Sequence, residues 1–550
     1  MAAGSLRHRI PVRLRHHWRL IAGSVGLVAV LVLVVGTVRA TALVYSDANE
    51  GFVVTNDVGN DVDLFDTSVA HEISLSYDEG DYDEMVEAFE DSGEKGWIKA
   101  DVTIDGVTVH DVGIRLKGNS TLSALGGGMS AGGEEGGFPG GGEMPEGMEL
   151  PEGMAAPEDG EMPEGMEFPG GMGGSTLSLD DPEGLPWLVD FSKYVDGQVY
   201  QGNRQISLRV DSSMGGGGEG TSLNEAVTLE LLEASGRSSY DWTYSTVSVN
   251  GGEAVTRRVV DIMDVTWAED EYGEDAGVLY KALSTGSFTY QGADPEEYED
   301  DFKQLSMEGS YDAQPLIDFL EWLGEADDAT FDAELGDWVD VESFAAYTAF
   351  QNLVANGDDM AGPGQNYYLW YDFETGLISI LTWDVDLTLQ SADLSPEDTA
   401  SLGGMGGGGF GGGQEGAEGE APEGAAEGGE MPEGMEFPGG GQMPEGMEMP
   451  EGMEFPEGGQ MPGGEDGGFG GMGGNELKER FLASEAFQDE YDAAYLGLYD
   501  SLLASGAALD AVATAQAAAE LNGADAASSA ESLASIVQQR TEFLAGELAR

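Results

Sequence analysis

The chain has 550 residues, 104 of them acidic and 22 basic, for a formal net charge of −82, and it contains no cysteine. Without cysteine there is no disulfide, thiol catalysis, zinc–thiolate site or lipid anchor on a cysteine, and so acidic a balance excludes phosphate-backbone binding as a main role, so no nucleic-acid partner is expected. The five histidines, His8, His16, His17, His71 and His110, all lie within the first 110 positions, so a Ser-His-Asp triad or an HExxH centre is not expected in the main body, and acid–base chemistry there falls to carboxylates, Lys or Tyr.

In chain order, residues 1–19 form a basic tail carrying Arg7, Arg9, Arg13, Arg15 and Arg19, and residues 20–38 are a run of nineteen without a charge. That run predicts a transmembrane helix, with the basic flank held in the cytoplasm and the body outside it, in a single-pass cell-membrane protein. The A-x-A site Ala40-Thr41-Ala42 supports the alternative of a secreted protein released by signal cleavage. Either way 16 basic residues remain beyond position 40.

The length suits two or three domains. Residues 45–124 read as β-rich, with one short helix near 82–92. A block at 125–174 follows, with Pro at 139, 145, 151, 157, 163 and 169; a second block at 403–474 has Pro at 432, 438, 444, 450, 456 and 462. Gly, Pro and Glu at this density do not bury enough surface to offset backbone entropy, so both blocks are expected to be disordered, and their charge suits cation capture or docking of a basic partner. Between them, residues 175–402 are expected to form the core. Strands there mix with a helix over 222–235, where Ser222 and Glu225 have capping-box spacing and Gly236 supplies the stop. Residues 312–356 read as helical, and so do residues 475–550, with a break at Asn522-Gly523. This order predicts an α+β protein of two lobes with a cleft between them.

The most informative stretch is 356–386, NGDDMAGPGQNYYLWYDFETGLISILTWDVD. A Gly/Pro loop carries Asp358 and Asp359 into an alternating strand, 366–371. A turn over 373–376 then leads into a second strand, 377–383, which runs into Asp384-Val385-Asp386. A hairpin folded about Glu374-Thr375 is expected to set Asn366 opposite Asp384, with Asp384 and Asp386 on one face. These are hard oxygen ligands suited to Mg²⁺, Mn²⁺ or Ca²⁺, although in so acidic a chain carboxylates also meet by chance.

Four stretches together resemble a known family: GIRLKGNSTL; VDFSKYVDGQVYQG through SLNEAVTLELLEASG and VSVNG to GVLYKA; the hairpin with NYYLW and WDVD; and ERFLASEAFQDEY with QQRTEFLAGEL. The chain is similar to the CotH family, the spore-coat protein H type of atypical protein kinase. The resemblance covers about 70–124, 180–400 and 475–550. It implies a kinase-like fold that binds ATP with Mg²⁺ or Mn²⁺ and transfers the γ-phosphate to Ser or Thr of a surface or envelope protein, a basic substrate suiting the acidic surface. By the same resemblance Asp358 is the base, with Asp359 the alternative, Asp384 is the principal metal ligand, Asn366 a second, and Asp386 a further metal candidate. The Asp358-to-Asn366 spacing is eight, longer than in the ordinary kinase loop. Cofactor binding falls to Lys117 or Lys281, and to Arg115 and Asn119 of the GIRLKGNST stretch, whose Gly-Asn-Ser turn can turn backbone N–H groups to phosphate. The alternative is a non-catalytic envelope protein that binds cations or partners through its acidic repeats.

Overall fold

A computed structural model describes residues 52–118, 122, 125, 177–210, 221–400 and 474–549. The expected membrane helix at 20–38, nearly all of both repeat blocks, and Asn119 lie outside the described residues. Among the described residues no single helix is long and apolar enough to cross a membrane.

Period-two burial builds the first half. The short β1 (Asn56–Val58) is followed by β2 (Glu72–Tyr77), α1 (Glu79–Ser92), β3 (Ile98–Ile104) and β4 (Val107–Leu116). Along β3, Ile98, Ala100, Val102 and Ile104 are buried in alternation with more exposed residues. The link to β4 is Asp105-Gly106, both at positive φ (48° and 82°), the geometry that joins two twisted strands in a two-residue turn. Helix α1 is entered at Asp78, which accepts from the Gly80 amide, and left at Gly93 with φ 76°; it starts three residues before the sequence reading placed it.

The chain continues through β5 (Trp187–Asp190), β6 (Gln198–Tyr200), β7 (Gln205–Arg209), α2 (Asn224–Ala234), β8 (Trp242–Val249) and β9 (Val255–Asp261). Strands β2-β3-β4-β5-β7-β9-β8 close into a barrel, sealed by parallel pairing of β2 with β8. Closure leaves these seven strands without a free edge. Ile73, Leu75, Val102, Ile114, Val189 and Ile206 fill the interior, all fully buried, and each such side chain contributes about 1.5–3 kcal/mol.

Next come α3 (Val265–Tyr272), β10 (Gly277–Ala282), β11 (Phe302–Gln304), α4 (Gln314–Glu325), α5 (Asp328–Glu334), α6 (Val341–Leu353), β12 (Tyr367–Asp372) and β13 (Ile378–Thr382). A second sheet has the order β11-β10-β12-β13. The chain closes with α7 (Glu476–Ala483), α8 (Gln488–Leu498), α9 (Ala507–Leu521) and α10 (Ala527–Glu547), and Asn522-Gly523 forms the break between the last two. The Ala-rich face of α9, with Ala508, Ala515, Ala518 and Ala519 buried, packs against α2. The second apolar core runs from the outer barrel residues Leu188, Trp242 and Tyr244 through the sheet into these helices. Mixed helices and sheets make this an α+β fold, and all described residues belong to one compact unit.

One buried group ties distant parts together, and a second caps a helix locally. Arg540 on α10, fully buried, donates from Nε to the Leu353 carbonyl (3.2 Å), from Nη2 to the Asn352 carbonyl (2.9 Å), and from Nη1 to the carbonyls of Ala392 (3.3 Å) and Leu394. Asp264 caps α3, a helix the sequence reading did not separate from its surroundings. Its Oδ1 accepts from the Thr266 and Trp267 amides, while its buried Oδ2 has no hydrogen-bond partner among the described residues. Burial pushes the Asp264 carboxyl up to about 6, against the pull of Arg204 and of its own hydrogen bonds.

A carboxyl raised in the folded state binds its proton more tightly there than in the unfolded chain, where it titrates near about 4. Stability from this group is therefore greatest below about pH 4 and is lost as pH rises toward about 6. Asp264→Asn keeps an oxygen for the cap and removes the ionisation. The variant should gain on wild type by about 1–2 kcal/mol between pH 5 and pH 7.5 in urea denaturation; a gap that does not change with pH would disprove the assignment.

Candidate active site

The hairpin forms, and its register is fixed by Tyr367 opposite Thr382 and Tyr371 opposite Ile378. Pairing stops there, so Asn366 is not set across from Asp384. That expectation miscounted by one residue: the same register extended by one places Asn366 against Trp383. The face-sharing argument for Asp384 and Asp386 also lapses, because Asp384 has φ 56° and extended alternation has ended at Thr382.

The loop before β12 wraps tightly around Asp358. Its Oδ1 accepts from the Gly364 amide (2.6 Å) and its Oδ2 from Asn366 Nδ2 (2.9 Å). A Cβ at Gly364 would lie 2.5 Å from Asp358 Oδ2, and one at Gly362 would lie 2.4 Å from Asp358 Cα, which is why the loop carries glycine at both positions. Burial pushes the Asp358 carboxyl up to about 6; the charges of Asp384 and Asp359 add to this, and the bonds from Gly364 and Asn366 oppose it. Asp359 faces elsewhere. Its carboxylate forms a buried ion pair with Lys478 of α7 and accepts from the Ala361 amide (2.9 Å). A proton acceptor already committed to a lysine is a poor base, so Asp358 is the better candidate of the two.

Asp384 lies beyond the end of β13 with about a third of its side chain exposed (34%) and is ion-paired to Arg209 at the end of β7. Burial works against its ionisation, yet Arg209, Lys117 and Lys281 hold its carboxyl below the ordinary aspartate value. The two predicted phosphate lysines are thus brought to the carboxylate predicted to take the metal. Trp383 organises this cationic side. Its ring lies 5.3 Å from Lys117 Nζ and 5.2 Å from the Arg209 guanidinium, and it packs on Tyr240 (4.6 Å between centroids) and Tyr368 (5.3 Å). Arg115 has its guanidinium 5.1 Å from the Trp97 ring. Asp386 is pushed up to about 7 by burial, then by the charges of Asp384 and Glu225.

Glu225 gives the clearest departure from the sequence reading. It does not turn back to cap α2 but is fully buried. It accepts from Arg258 Nε (2.7 Å) and the Tyr240 hydroxyl (2.8 Å), and Arg209 Nη1 lies 3.2 Å from its Oε1. Capping-box spacing cannot tell a carboxylate that reaches the helix amides from one that reaches a neighbouring barrel strand. The roles of Arg209, Arg258 and Lys478 also escaped the sequence, because their partners are separated from them by 16 to 175 positions.

The donor set suits a hard divalent cation held jointly with phosphate. Among the described residues no group of three or more His, Cys, Asp or Glu side chains is arranged to hold a metal ion. Asp384 and the amide oxygen of Asn366, whose nitrogen is committed to Asp358, are the oxygens that would supply part of its shell. Mg²⁺ is commonly bound in this way, through one or two protein ligands with substrate phosphates completing the octahedron. A separate cleft lined by Arg204, Glu269, Met307, Glu308 and Trp370 contains none of these groups and offers no base beside a metal ligand.

Residues 183–426 match the family model described as CotH kinase protein. These residues form a CotH-family domain. The matched stretch runs from before β5 past Asp386, so it includes Arg209, Glu225, Lys281, Asp358, Asn366 and Asp384. Lys117 precedes it and Lys478 follows it. No curated protein matches the chain.

Proposed function

We propose that this CotH protein is an atypical protein kinase that transfers the γ-phosphate of ATP to Ser or Thr hydroxyls of a surface or envelope protein, using Mg²⁺ or Mn²⁺. The observation that carries this reading is the pairing of two unlike carboxylates. Asp358 is buried, raised to about 6 and hydrogen-bonded to Asn366. Asp384 is held ionised among Arg209, Lys117 and Lys281. Environments that push two acids apart assign one to proton transfer and the other to charge.

In this reading the barrel forms one lobe and the second sheet with its helices the other, with the body outside the cytoplasm on the 20–38 anchor. Asp358 accepts the hydroxyl proton of the substrate. Asp384 and the Asn366 amide oxygen would hold the metal, which when bound neutralises charge developing on the transferred phosphoryl group. Lys117 and Lys281 would bear on the phosphates.

The test is incorporation of label from γ-labelled ATP by the full chain with Mn²⁺ or Mg²⁺, into itself or a generic Ser/Thr substrate. Label is expected, together with a nucleotide-induced rise in melting temperature. Neither label nor thermal shift would sink the kinase reading in favour of a non-catalytic envelope protein.

A further inference from the structure

Arg209 sits where a divalent ion would have to act. Its Nη1 bridges two carboxylates, Asp384 on one side and Glu225 Oε1 at 3.2 Å on the other. Its Nε and Nη2 are buried and have no acceptor among the described residues. Its guanidinium carbon lies 5.2 Å from the centre of the Trp383 ring. A guanidinium offers five N–H groups in a rigid fork, and here one nitrogen carries both recorded contacts. A buried donor left without an acceptor is unfavourable, so the free edge is set to take an anion. Glu225 keeps Arg258 and the Tyr240 hydroxyl whatever Arg209 does, so its charge does not depend on Arg209 alone.

We infer that Arg209 is a built-in competitor of the divalent metal: it occupies Asp384 when the site holds no metal, and it leaves for the phosphate oxygens when a metal–nucleotide complex arrives. Metal alone then meets a site whose main carboxylate is already neutralised by a fixed cation. Metal together with nucleotide supplies the anion that Arg209 needs once displaced. Binding of the two is therefore synergistic, and the coupling is reciprocal. The inference rests on the reading of Asp384 as the metal carboxylate, but its test uses metal alone and is separate from phosphate transfer.

The experiment measures Mn²⁺ binding by the full chain without nucleotide, by electron paramagnetic resonance. The Asp384 site is separated from diffuse binding to the acidic repeats by subtracting the Asp384→Asn variant. Arg209→Gln should tighten Mn²⁺ at this site by at least about tenfold, within the usual 5–150-fold span of coupled sites, and Arg209→Gln combined with Asp384→Asn should lose the gain. Arg209→Lys keeps the charge and should bind Mn²⁺ as weakly as wild type, which a merely structural role would not produce. Arg209→Met, uncharged and able to lie on the Trp383 face, should reproduce the tightening and replaces the Gln variant if that one does not fold. Equal Mn²⁺ affinity in wild type and the uncharged variants would overturn the inference, as would equal tightening by Lys and Gln. Absent phosphate transfer with a tightened Arg209→Gln site would sink the kinase reading and leave the competition standing.

Discussion

Replacing Asp384 by Ala is expected to lower phosphate transfer by at least about a thousand-fold, the scale on which loss of a charge-organising group acts in a preorganised site. Arg209, Lys117 and Lys281 all act on this one carboxylate. Removing it takes away the oxygen that would hold the metal and also leaves three cations facing one another. The fold should survive, because the side chain is about one-third exposed and lies beyond the last hydrogen-bonded pair of the hairpin. Label from γ-labelled ATP, read beside a melting curve, checks both halves. Transfer at the wild-type rate by a folded Asp384→Ala chain would remove Asp384 from the reaction.

The largest stability effect is expected at Arg540. Arg540→Ala should destabilise the chain by about 3–5 kcal/mol, the scale of a large-to-small core truncation that also orphans buried acceptors. The side chain is fully buried and satisfies the carbonyls of Asn352, Leu353, Ala392 and Leu394, with further contacts to Asn352 Oδ1 (3.1 Å) and the Tyr495 hydroxyl (3.2 Å). Truncation therefore leaves a cavity and a set of orphaned acceptors together. Arg540→Met separates the two effects, since it refills most of the volume and none of the hydrogen bonds. Urea denaturation should show it nearly as unstable as the Ala variant; recovery to wild-type stability would mean that packing alone mattered.

Local patterning made part of this molecule legible in its sequence. The hairpin could be read because alternation in NYYLWYD and LISILTW and the Thr-Gly turn all lie within a few residues. Helix α1, the three helices between 314 and 353, and the Asn522-Gly523 break could be read for the same reason. Helix α3 could not, because its eight residues, VTWAEDEY, give barely two turns of pattern. The candidate site was half legible. Its acids lie close together in the chain and carry their own turn residues. Its cations come from β7, β10 and the end of β4, and only barrel closure and sheet pairing bring them to Asp384. Glu225 was misread because spacing describes a helix and says nothing of the strand it faces.

The Arg540 contacts carry a consequence for the order in which the site can come into being. Asn352 and Leu353 lie just ahead of the loop that holds Asp358, and the group that satisfies their carbonyls is 187 and 188 positions further along the chain. Lys478, the partner of Asp359, comes 119 positions after it. A chain emerging from the ribosome amino end first completes the barrel strands long before either residue exists. The loop around Asp358 and Asp359 therefore cannot complete these contacts until residues 478 and 540 have been made, which is nearly the whole chain.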